Sequence, residues 1–292
     1  MTLFNGFDDR VFDTGEARIA YVCAGDGPPL VLLHGFPQTR ASWHLVAPAL
    51  ARDFTVVVPD LRGYGRSTGP EPWADGANYS KRAMGEDVLA LMRGLGHERF
   101  MLAGHDRGAR VGYRLALDHP QAVESLALLD ILTTLDTWEA FDWRQGLRAY
   151  HWPFLAQPAG FVETMIGADP AFYLDHLLHR WQGRGVHLDT RALADYHAAI
   201  AKPQVIAAMA ADYRAGAAVD TELDRADRTA GNRLQCPLLL LRGSQYESRP
   251  LAPGWATWAE DMTETVFDSG HFIAEEQPEA TIRALRAHFG PV

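Results

Sequence analysis

Cysteine is nearly absent. The chain has two, Cys23 and Cys236, in 292 residues, with no CxxC spacing and no metal-site pattern, so neither a disulfide framework nor a zinc centre is expected to organise it. Clustered positive charge is also missing. The 27 Lys plus Arg face 37 Asp plus Glu, a formal net charge of −10, which leaves little to neutralise phosphates and excludes nucleic acids and anionic membrane surfaces as expected partners. No apolar run reaches the roughly 20 residues that span a bilayer. Met1 to Thr14 carry Asp8, Asp9 and Asp13 where a signal peptide needs a basic start and an apolar stretch. The expected setting is therefore soluble, reducing and cytoplasmic. Internal repeats and low-complexity segments are lacking too. What remains is an ordinary globular composition, 47% hydrophobic and 22% charged, long enough for one large domain or a core with a lid.

Short apolar runs rich in Val and Leu alternate with helical patterns through the first third. Residues 29–34, 54–59, 100–104 and 125–129 read as strands; 81–93 and 109–119 read as helices, closed by glycines and by Pro120. From about 134 to 228 the strand signals stop, and helical stretches rich in aromatics and histidine take over. The first rhythm resumes at 237–241 and 264–268, with a helix at 278–289. The expected fold class is α/β: a mostly parallel sheet with helices on both faces, its core formed by 1–133 and 229–292, and an inserted helical cap at 134–228. Such a cap belongs over the carboxyl edge of the strands, where ligands bind in these folds.

One turn carries chemistry. Gly104-His-Asp-Arg-Gly108 lies between an expected strand and an expected helix. The flanking glycines let the chain turn sharply with Asp106 in a strained conformation, as in the nucleophile elbow of the α/β-hydrolases. A carboxylate at that position is already ionised and can attack a saturated carbon to form an alkyl ester. The partners should follow in chain order, acid and then histidine. Asp130 ends the next strand and His271 follows the last one, so these two are the expected orienting acid and base. Glu247 is the runner-up acid, because the usual position near Gly243 offers no Asp. Backbone N–H groups of Arg107 and Phe36 are the expected oxyanion donors during ester hydrolysis.

Arg107 and Arg110 open the helix after Asp106 and share one face. A helix N-terminus carries partial positive charge, so two cations there are unfavourable unless anions join them. Asp106 supplies one, and a substrate carboxylate held by paired guanidinium groups would supply the second. Arg114, one turn later, reads as structural.

Gly104-His-Asp-Arg-Gly-Ala-Arg110 resembles the fluoroacetate (haloacetate) dehalogenases of the α/β-hydrolase fold. The resemblance extends over nearly the whole chain. It includes His34-Gly-Phe-Pro-Gln-Thr39, Pro59-Asp-Leu-Arg-Gly-Tyr-Gly65, Leu129-Asp-Ile131, Tyr150-His-Trp152, Asp212-Tyr-Arg-Ala-Gly-Ala217 and Ser269-Gly-His-Phe272. It implies Asp106 as nucleophile, Arg107 and Arg110 on the substrate carboxylate, and His151, Trp152 and Tyr213 around the departing halide. It also implies Trp181 as a pocket residue and Phe36 in the oxyanion loop. By that resemblance the partner is a small haloacid, no cofactor or metal is needed, and a homodimer is a further expectation. Which halide is preferred stays open.

Three other readings stand beside it. An epoxide hydrolase uses the same Asp and His but needs cap tyrosines as acids, for which Tyr150, Tyr173, Tyr196 and Tyr213 are available. A non-catalytic small-molecule receptor on this fold would tolerate a broken triad. His176 and His179, three apart, could share a metal, but no third ligand is apparent.

Overall fold

The computed structural model describes residues 3–246 and 249–290; Glu247 lies outside the described residues. Its strands are β1 (Asp8–Asp13), β2 (Arg18–Ala24), β3 (Pro29–Leu33), β4 (Thr55–Pro59), β5 (Phe100–His105), β6 (Val123–Leu129), β7 (Leu238–Gly243) and β8 (Met262–Phe267). They form one sheet in the order β1-β2-β4-β3-β5-β6-β7-β8. From β4 onward in that order every neighbouring pair is parallel. β1 and β2 form an antiparallel hairpin, and β2 runs antiparallel to β4. The hairpin is not among the strands expected from sequence. β1 is Asp-rich and exposed along most of its length, so no apolar run marks it.

The central strands are buried on both faces, and their alternate side chains feed two separate cores. Leu30, Leu32, Val56, Val58, Ala103 and Leu241 join one core, with Leu50 of α1 (Ala47–Leu50). Val31, Leu33, Val57, Leu102 and Leu240 join the other. There they meet Val88 of α2 (Lys81–Gly94) and Val111 and Leu115 of α3 (Asp106–Asp118). This two-sided burial is why the runs read as continuously apolar rather than alternating.

Between β6 and β7 lie eight helices: α4 (Thr134–Glu139), α5 (Trp143–Arg148), α6 (His151–Leu155), α7 (Phe161–Ala168), α8 (Pro170–Trp181), α9 (Thr190–Ile200), α10 (Pro203–Ala217) and α11 (Val219–Ala230). Trp152, Leu174, Trp181, Tyr196, Met209 and Tyr213 of this stretch belong to the same hydrophobic cluster as the α2–α3 face of the sheet. The insertion is thus packed onto the core rather than tethered beside it. After β7 come α12 (Ala252–Trp255), α13 (Ile273–Glu276) and α14 (Pro278–Phe289), whose Leu285 and Phe289 complete the first core. No helix among the described residues is long and apolar enough to cross a membrane.

Candidate active site

β5 ends at His105 and α3 begins at Asp106, three residues earlier than the sequence pattern places the helix. The apolar periodicity starts only at Ala109, so the turn itself is invisible to it. Asp106 has φ +45°, in the left-handed region that costs a non-glycine residue energy. The glycines on either side make the turn feasible. A Cβ on Gly104 would sit 2.6 Å from the Gly108 oxygen, and one on Gly108 would sit 2.4 Å from the His34 oxygen.

The Asp106 side chain is buried, and its Oδ1 accepts a hydrogen bond from the Phe36 backbone N–H at 3.0 Å. Burial opposes its ionisation, but the neighbouring His271 chiefly outweighs it and holds the carboxyl well below the usual range. The second predicted acid, Asp130, follows β6 at φ +60°. Its Oδ2 lies 2.6 Å from His271 Nδ1, and its Oδ1 accepts from the Gly243 N–H at 3.2 Å. Both oxygens are therefore used, which fixes the carboxylate and, through it, the imidazole. The His271 backbone N–H donates to the Trp181 carbonyl at 2.8 Å, tying this loop to the end of α8. Burial lowers the basicity of His271, but the flanking Asp106 and Asp130 carboxylates prevail and raise its pKa to about 9. Asp106, Asp130 and His271, far apart in sequence, are thus brought together.

Both arginines are buried, and both cover aromatic faces. Arg107 Cζ lies 4.1 Å from the Tyr213 ring centroid, and Arg110 Cζ lies 4.5 Å from that of Trp152. Arg110 donates from Nη1 to the Leu132 carbonyl at 3.0 Å and to Thr134 Oγ1 at 3.3 Å, while its buried Nε has no hydrogen-bond partner among the described residues. Arg107 differs from the sequence expectation, in which Asp106 and a substrate supply the compensating charge. Its counter-ion is Asp212 of α10. Nε donates to both carboxylate oxygens at 3.1 Å, and Nη2 donates to the carboxylate and, at 2.9 Å, to the Asp212 carbonyl. Asp212 was not expected at the site. The sequence marks it only as the first residue of the stretch Asp212–Ala217 and gives it no role, and only the fold reveals that it is fully buried. Arg114 pairs with Asp118 and Asp227 and is structural, as expected.

Beside Asp106 is a small cavity of about 80 Å³, lined among others by Arg110, Asp130, His151, Trp152, Trp181 and His271. Phe36, Arg107 and Tyr213 stand behind this wall and touch it through its rings. Phe36 stacks on His151 at 6.2 Å, and Tyr213 meets Trp152 edge-on at 5.9 Å. His151 is driven by burial to a pKa of about 3, so the imidazole is neutral, and its Nδ1 has no hydrogen-bond partner among the described residues. Tyr246 was missed by sequence reasoning. Its ring centroid lies 4.2 Å from that of His271, and no motif marks it.

The remaining candidates fall elsewhere. His176 and His179 are exposed on α8, and no cluster of three or more metal-ligating side chains occurs among the described residues. Cys23 and Cys236 are free thiols.

Chemically, the site offers an ionised carboxylate, a histidine oriented by a second acid, buried cations and weakly polar aromatic donors around a space of few atoms. That set suits displacement at carbon by a carboxylate, followed by hydrolysis of the resulting ester.

A family model described as alpha/beta hydrolase fold matches residues 28–278. Among curated proteins, the chain is 46% identical over 289 residues to a fluoroacetate dehalogenase of Burkholderia sp, covering 97% of this chain and 94% of that protein. It is 33% identical to a soluble epoxide hydrolase of Corynebacterium sp. (strain C12), covering 94% of each. Among solved structures, an alpha/beta hydrolase of Nostoc sp PCC 7120 superposes with a TM-score of 0.95 at 43% identity, over 99% of this chain and 100% of that one.

Proposed function

The chain belongs to the alpha/beta hydrolase family and, within it, to the fluoroacetate dehalogenases, and on that premise we propose that it hydrolyses 2-haloacetates to glycolate and halide. The observation that carries this reading is Arg110, a buried cation on the wall of a cavity beside the Asp106 carboxylate. A neutral epoxide or haloalkane gives that charge no task.

In the first step an Asp106 carboxylate oxygen attacks C2 of the haloacetate, and the carbon–halogen bond breaks with its electron pair leaving on the halide. Arg110, on the cavity wall, and Arg107, which adjoins it across the Trp152 ring, hold the substrate carboxylate. In-line displacement sends the halide away from the core, toward the helical insertion, which acts as the cap. There the N–H groups of His151 and Trp152 and the hydroxyl of Tyr213 replace the water that a fluoride ion would otherwise hold. A neutral His151 suits this role, because it keeps one N–H and needs no counter-ion. In the second step water attacks the carbonyl carbon of the Asp106 ester, and His271 Nε2 takes its proton. The backbone N–H of Phe36, which bonds Asp106 Oδ1 in the resting site, and that of Arg107 stabilise the oxyanion. Collapse expels glycolate, whose oxygen takes the proton back from His271, and Asp106 is regenerated as the carboxylate when it releases water's second proton to solvent.

The test compares halide release from fluoro-, chloro- and bromoacetate with turnover of styrene oxide. Halide release is expected, and His271→Ala is expected to accumulate a carboxymethyl ester on Asp106, seen in intact-protein mass spectrometry. Styrene oxide turnover without halide release would transfer the assignment to the epoxide hydrolases. Ligand-induced stabilisation with no turnover of either would make the protein a receptor.

A further inference from the structure

Arg107 poses an electrostatic problem as a carboxylate-binding residue. A guanidinium in a closed pair with Asp212 has its field largely cancelled, and such a pair attracts a third charge weakly. Further ions stand behind the pair. Lys81, the first residue of α2, is buried, and its Nζ contacts the same Asp212 carboxylate. Tyr64, from the loop after β4, donates its hydroxyl to Asp212 Oδ2 at 2.7 Å. Asp220 of α11 accepts from the Lys81 backbone N–H at 2.9 Å and lies 3.6 Å from Lys81 Nζ. Asp220, Lys81, Asp212 and Arg107 therefore form a chain of alternating charge, each member at most 2% exposed, running through four helices. At its end Arg107 Nη1 is buried without a hydrogen-bond partner among the described residues. Asp212 takes Nε and Nη2 and leaves that nitrogen for something else. Packing alone does not call for this. A buried lysine against two carboxylates is costly to desolvate, and an apolar side chain would fill the space at lower cost.

We propose that Lys81 and Asp212 are positioning residues for substrate binding: Asp212 fixes the guanidinium of Arg107, and Lys81 offsets the Asp212 charge so that Arg107 still attracts the substrate carboxylate. The inference rests on the reading of Arg107 as a carboxylate-binding residue. Lys81 is not on the cavity wall and acts only through its neighbours.

The test uses the full chain, with glycolate as the binding probe and chloroacetate as the substrate. In Lys81→Met the uncompensated Asp212 should weaken glycolate binding about fivefold or more, and raise KM for chloroacetate by a larger factor than it lowers kcat. Adding Asp212→Asn to Lys81→Met removes the offending carboxylate and should recover part of the lost glycolate affinity. A merely structural cluster would make the double variant weaker still, and that result would overturn the proposal. Tyr64→Phe covers the case in which Lys81→Met does not fold. It removes one neutral donor to Asp212 and should weaken glycolate binding about two- to threefold. Unchanged glycolate affinity in the single variants would also overturn the proposal. Wild-type protein that binds glycolate but releases no halide would overturn the haloacetate reading alone.

Discussion

His271 Nε2 stands 3.8 Å from Asp106 Oδ2, an ion-pair distance rather than a hydrogen bond. The two groups change each other's charge during the cycle. While Asp106 is a free carboxylate, it and Asp130 favour the imidazolium. Once Asp106 carries an alkyl group, its negative charge is gone and only Asp130 remains. Esterification therefore lowers the proton affinity of His271 at the step where it must accept a proton from water.

This coupling can be measured without substrate. The groups around His271 are Asp106 on α3, Asp130 after β6, neutral His105 at the end of β5 (ring centroids 4.5 Å apart), the rings of Tyr246 and Trp181, and Glu276 of α13, whose carboxylate accepts from the Gly270 and Phe272 N–H groups on either side of His271. His105 is held by burial at a pKa of about 3 and adds no charge. Asp106→Asn imitates the neutral ester. NMR titration of His271 should give a midpoint near 9 in the wild type and a midpoint lower by about one unit or more in the variant. Equal midpoints would mean that Asp106 does not govern the base.

Trp152 separates halide binding from packing. Its indole is buried against Tyr213 and under the Arg110 guanidinium. Trp152→Phe keeps an aromatic face for both neighbours and deletes the N–H donor. Fluoride depends most on hydrogen bonds as it leaves, so kcat for fluoroacetate should fall about 10²-fold, and by about tenfold more than kcat for bromoacetate. Parallel halide-release assays read the ratio. An equal loss for both substrates would assign Trp152 to packing alone.

The parts of this site that were legible in sequence are those that chemistry places at strand ends. Asp106 and Asp130 each follow an apolar run, readable because its residues are buried on both faces, whereas His271 follows β8, an edge strand with no buried residue, and was placed by its position after the last strand. Arg107 and Arg110 were legible because two cations at a helix start contradict the helix dipole. Lys81, Asp212 and Asp220 were not, because a charge on a helix looks the same in sequence whether it meets water or another helix. Their pairing depends on how α2, α10 and α11 pack. Trp152 and Tyr213 were singled out only by family resemblance, since other aromatics of the insertion carry the same local signal. β1 escaped notice for the opposite reason: it buries too little to leave a pattern.

Glu275 on α13, four residues after His271, supplies a prediction about stability. Its carboxyl is buried where three parts of the chain meet. Gln38, just beyond the Phe36 loop, donates to Oε2, and Tyr196 of α9 donates to Oε1 at 3.0 Å. Burial drives the pKa up to about 8 despite those two donors. A carboxyl that ionises in the ordinary range when unfolded but near 8 when folded favours the native state fully in acid. That contribution is lost progressively as pH rises toward 8, because the unfolded chain releases the proton first. Glu275→Gln has no proton to lose. Its amide can donate to Gln38 Oε1, which is buried without a partner among the described residues and reaches the junction if the Gln38 amide turns over. The melting temperature of Glu275→Gln should therefore match wild type near pH 5 and exceed it by a few degrees at pH 9, with the gap opening between those limits. Thermal unfolding across that range checks it. A gap that does not depend on pH would show that the carboxyl stays ionised in the folded protein, held by Gln38 and Tyr196 against the cost of burial.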